Sequence, residues 1–81
     1  MEKEYLQGVF NYLNEKYNEH YFAKNSQKGI IESQVRSYAK NINTELYAHL
    51  NEGSATGLFE PGFFQNDLSR SLKVLKEMLT D

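Results

Sequence analysis

Few residues in this chain are able to carry acid-base or metal chemistry: two histidines, eleven acids and no cysteine. His20 and His49 both fall on apolar stripes of helical spacing. A histidine so placed is a general base, a metal ligand, or a partly buried ring satisfied by a backbone carbonyl. The last reading fits best, because a short connection makes the first two predicted helices antiparallel and sets the two rings at opposite ends. They cannot share an ion. Glu45, His49 and Glu52 occupy neighbouring turns of one helix, as in a carboxylate and histidine metal cluster. A di-metal bundle, however, draws such sets from several facing helices, and the pattern places no inward acid in the central turns of the first or last helix. No metal or cofactor is implied. The serines scatter over outer faces, so no Ser-His-acid set forms, and Gly53-x3-Gly57-x4-Gly62 lacks the lysine and the preceding strand of a phosphate-cradling loop. The protein is read as non-catalytic.

Contact chemistry has more support. Leu58, Phe59 and Phe63 are apolar in a segment without periodicity, and apolar groups in a surface loop mark a contact site unless the loop folds down to plug the end of the bundle near His49. Ser33, Ser37, Thr44 and Ala48 form a row of short residues on the outer face of the second helix, with Lys40 its main long member. Small residues let another helix approach closely. These residues make the candidate surface for a protein partner or for self-association. Arg36, Ser37, Lys40 and Asn43 are also types that read bases and phosphates. A helix-turn-helix, however, needs a turn of three or four residues, whereas the loop here runs to about ten, and net charge is acidic. A nucleic-acid-associated regulator is therefore the alternative and not the first reading.

Three amphipathic helices must position these residues. Over about 2–21, Leu6, Val9, Phe10, Leu13 and Tyr17 recur at helical spacing, with Gly8 on the outer face costing roughly 1 kcal/mol against alanine. Asn25 and Ser26 then offer side-chain oxygens to a new helix start. Over about 27–52, Ile31, Val35, Tyr38, Ala39, Ile42, Leu46 and Leu50 trace one continuous stripe, closed by Gly53 in the position just past a helix end. The loop 53–62 contains Glu60-Pro61-Gly62-Phe63, either a type II turn or the start of the last helix with Phe59 and Phe64 as a staple. Over about 63–80, Phe64, Leu68, Leu72, Leu75 and Leu79 form a narrow stripe, with Arg70, Lys73 and Glu77 outward. The expected fold is all-α, an antiparallel three-helix bundle with a long loop between helices two and three.

Composition bounds the rest. With 81 residues the protein is read as a single domain with an economical core, and 14% aromatic content means Tyr and Phe supply much of its packing. Nine basic and eleven acidic residues give a net charge of −2, with no run of like sign to recruit a polyanion. The polar start Met1-Glu2-Lys3-Glu4 lacks the pattern of a secretory signal, and no apolar run spans a membrane. The expected location is the cytoplasm, with no membrane partner. In size and composition the protein is like the small acidic accessory proteins of bacteria and mobile elements, which is an analogy and not a motif match.

Overall fold

The computed structural model describes residues 1–54 and 57–80, and every regular element among them is helical. Among these residues four helices follow in order: α1 Lys3–Phe22, α2 Asn25–Lys40, α3 Thr44–Asn51 and α4 Phe64–Leu79. The longest dimension is 38 Å, little more than the roughly 30 Å of a helix of α1's length, so the helices lie side by side.

Helix α1 buries Leu6, Val9 and Leu13, the inner edge of its stripe. The backbone leaves it through Ala23 and Lys24, both extended, and α2 turns back along it with no cap from the Asn25 or Ser26 oxygens. Contacts between the two helices fix their register. The Tyr12 and Tyr38 rings stack with centroids 3.8 Å apart, Lys16 Nζ donates to Gln34 Oε1 at 3.0 Å, and His20 Nε2 meets Glu32 Oε2 at 2.9 Å. Rising numbers on one helix pair with falling numbers on the other, so α1 and α2 are antiparallel. Helix α1 packs most extensively against α4, whose first residue, Phe64, sets its ring 4.5 Å from that of His20. That pair is antiparallel as well.

The single helix expected over 27–52 is two helices. Asn43 takes a non-helical conformation (φ −52°, ψ 134°), and its amide oxygen accepts from the Glu45 and Leu46 backbone at 2.9 and 3.2 Å. The Asn43 backbone N–H in turn donates to the Tyr5 hydroxyl at 2.8 Å, and Asn41 Nδ2 donates to the Ser37 carbonyl at 3.1 Å. Asparagine offers the backbone these partners in place of helical ones, which is why it favours caps over helix interiors. The apolar stripe gave no sign of the break: Ile31, Val35, Ala39, Leu46 and Leu50 are all buried, at spacings a continuous helix would also produce. Helix α3 buries only the narrow edge of Leu46 and Leu50, and His49, expected within the stripe, is exposed.

After α3 the backbone turns at Gly53, whose φ of +85° is the left-handed conformation glycine adopts without a Cβ penalty. Further on, the Phe63 amide donates to the Glu60 carbonyl at 3.1 Å around Gly62 at φ +91°. Of the two readings of Glu60-Pro61-Gly62-Phe63, this is the type II turn. Between these bends Leu58 and Phe59 drop into the core, 4% and 0% exposed, beside Phe64, Leu68 and Leu75 of α4. The loop supplies core residues that so short a protein must find somewhere.

Candidate functional site

Hydrogen bonds and ion pairs link all four helices and the loop into one polar network. It starts at Gln65 of α4, whose amide nitrogen lies 2.6 Å from His20 Nδ1. His20 is 5% exposed, and the carboxylate of Glu32 against Nε2 places the ring proton there, leaving Nδ1 to accept from Gln65. Both ring nitrogens are engaged, by side chains and not by the backbone carbonyl expected. The other Glu32 oxygen is 4.0 Å from Arg36 Nη1, which donates to the Phe59 carbonyl at 3.1 Å. The Phe59 amide donates to Asp67 Oδ2 at 2.9 Å, Asp67 Oδ1 accepts from Arg70 Nη1 at 2.9 Å, and Arg70 Nη2 donates to the Leu50 carbonyl at 2.8 Å. Arg70 thus closes the C-terminus of α3, where a cation also complements the helix dipole.

This network serves structure. Asp67 is 2% exposed and its charge is compensated by Arg70 and the Phe59 amide, as a buried carboxylate requires. The Phe59 backbone has φ +65°, a conformation that costs any residue with a Cβ roughly 1–2 kcal/mol. Ring burial and hydrogen bonds on both sides of its peptide unit hold it there. Sequence reading placed Arg36 and Arg70 outward and did not single out Asp67. An arginine stem lies along apolar surface while its head reaches inward, so helical angle alone does not separate the two placements.

The predicted contact residues separate. Leu58 and Phe59 are core residues and are not available to a partner, so of the two readings of the loop it is the folded-down one that holds for them, and their place in an apolar contact surface is corrected. Phe63 is 41% exposed and remains available. Ser33, Ser37 and Lys40 are exposed on α2, but Thr44 opens α3 beyond the break, so the row of short residues does not run along one helix. Asn43 caps α3 instead of facing a partner. A Cβ built on Gly8 would meet nothing within 4 Å, so among the described residues no backbone approaches that face. Lys40 and Thr44 instead line a cleft of about 250 Å³ at the α2–α3 elbow together with Ala39, Ile42 and Tyr47. A second cleft, of about 450 Å³, lies among Met1, Glu2, Tyr5 and Asn43.

A different surface was missed. Phe22 is 81% exposed, Tyr21 63%, Ile30 56% and Phe63 41%, and they belong to the end of α1, the second turn of α2 and the residue before α4. The contacts of His20 with Glu32, Phe64 and Gln65 bring these helix termini to one end of the molecule. The signal was present in part: Ile30 stands beside the buried series Ile31, Val35 and Ala39, one residue off its stripe. Among the described residues no group of three or more His, Cys, Asp or Glu is placed to hold a metal ion, and no helix is long and apolar enough to cross a membrane. Comparison with protein-family models, curated proteins and solved structures finds no match.

Proposed function

We propose that this protein is a non-catalytic helical module that docks a protein partner through the end of the molecule where α1 finishes and α2 and α4 begin. The observation that carries this reading is the exposure of Phe22, Tyr21, Ile30 and Phe63 on adjoining helix termini, with the Tyr21 and Phe22 rings edge to face at 5.0 Å. Isolated apolar groups on a surface need no explanation, but several gathered at one end of a molecule point to a contact site. Aromatic residues give such sites large contact area at small entropy cost. The exposed Ser33, Ser37 and Lys40 of α2 extend the surface from Ile30 along that helix. The engagement of both His20 nitrogens within the fold supports a role without catalysis, and a sequence free of cysteine suits a reducing cytoplasm.

Phe22→Ser, Ile30→Ser and Ser37→Arg test the surface, since each alters an exposed residue. Sedimentation velocity and capture of partners by the tagged protein are the readouts. Capture falls in the variants at unchanged thermal stability; a fall in the mass of the purified protein alone identifies a second copy as the partner. Unchanged mass and unchanged capture in all three variants overturn the reading. One observation favours the alternative of a small nucleic-acid-associated regulator: Lys24, Lys28 and Lys40 carry no ion-pair partner among the described residues. A shift assay at low salt decides that alternative, with no retarded band removing it.

A further inference from the structure

We infer that the cleft at the α2–α3 elbow is a binding site for small carboxylates bearing a short apolar tail. This inference does not rest on the docking surface just described, which centres on the other end of α2 and shares only Lys40 with the cleft.

The cleft exists because the helix breaks. Helix α2 stops at Lys40 and α3 starts at Thr44, and the backbone between them bends away, leaving a hollow of about 250 Å³ lined by Ala39, Lys40, Ile42, Thr44 and Tyr47. Ala39 belongs to the core, 4% exposed, and Ile42 and Tyr47 pack against it, so the base of the hollow is apolar. An alkyl group lying there leaves water against surface that is already dry on its inner side.

The polar groups of the lining are complementary to one kind of head group. Lys40 is the only charged residue among those that line it. Its ammonium, the Thr44 hydroxyl and the Tyr47 phenol have no hydrogen-bond or ion-pair partner among the described residues. An ammonium only donates, and both hydroxyls, which also accept, are able to donate, so an acceptor group of negative charge suits all three. A carboxylate meets that requirement while leaving the apolar base to its tail, whereas inorganic phosphate has no tail to place there. The elbow is also held in shape before any ligand arrives. Asn43 caps α3, its amide is tied to Tyr5 of α1, and Asn41 is tied to the Ser37 carbonyl, so little ordering remains on binding.

Hexanoate titrated into the isotope-labelled full-length protein tests the site, read by the amide NMR shifts of Ala39, Lys40, Ile42, Thr44 and Tyr47. Saturable shifts centred on these residues are expected, with a dissociation constant on the order of millimolar for so small a ligand. Hexanol is expected to bind about tenfold more weakly, and hexylamine and inorganic phosphate not measurably. Lys40→Met, an exposed substitution, should weaken hexanoate by a similar factor without moving shifts elsewhere. N-acetylleucine in the same titration tells a free fatty acid from the terminal carboxylate of a peptide, and tighter binding of either carboxylate upholds the site. Absence of saturable shifts with both carboxylates, equal binding of hexanol or phosphate, or an unaltered affinity in Lys40→Met overturns the inference.

Discussion

The backbone amide of Phe59 donates to the buried carboxylate of Asp67 at 2.9 Å, eight residues further along the sequence. That bond anchors the loop to α4, and through Arg70 the same carboxylate reaches the end of α3. Asp67→Ala strips the amide and the guanidinium of their acceptor at once and should cost about 3 kcal/mol. Asp67→Asn keeps an oxygen for the Phe59 amide and should cost less. Chemical denaturation checks the order, and equal losses would count against the anchor.

Phe59 and Phe63 are close in sequence and opposite in environment, 0% and 41% exposed. Phe59→Ala should lose about 3–5 kcal/mol, the usual consequence of emptying a buried aromatic site. Phe63→Ser should stay within about 0.5 kcal/mol of the parent protein. A thermal melt of each variant separates them. Similar melting temperatures for the two would mean that the loop does not enter the core.

Asn43 decides where the second apolar stripe breaks. Asn43→Ala removes the acceptor of the Glu45 and Leu46 amides, at a cost of about 1 kcal/mol. Hydrogen exchange at these two amides should speed up relative to that of Val35, which lies within α2. Unchanged protection would show that this cap contributes nothing.

Tyr38 gives the fold an alkaline limit. Burial, with like-charge repulsion from the Tyr5 and Tyr12 phenolates in second place, raises its phenol above the ordinary 10.0. In the unfolded state the phenol ionises near that ordinary value, so above it the folded form holds more protons than the unfolded one. The contribution of Tyr38 to stability is therefore intact below about pH 10 and is lost as pH rises through the raised value. Denaturation midpoints measured between about pH 9 and pH 11 should fall less steeply in Tyr38→Phe, which keeps the stack on Tyr12. Identical slopes would remove Tyr38 as the cause.

Taken by itself, the order of apolar residues determined that this protein is helical. It also determined which edges of α1 and α2 face inward, that Gly53 bends left-handed after a helix, and that Leu46, Leu50, Leu68 and Leu75 belong to the interior. Those features follow from local periodicity and from conformations open to one residue type, and both are written in neighbouring letters. The tertiary structure decided the rest. The break at Asn43 is completed by Tyr5 from another helix, and Phe59 holds its strained backbone because Arg36 of α2 and Asp67 of α4 reach its peptide groups. Phe22 stays in solvent because no described part of the fold comes round to cover it. Periodicity records a residue's angle about its own helix axis, whereas burial and pairing depend on what the other elements bring to that side.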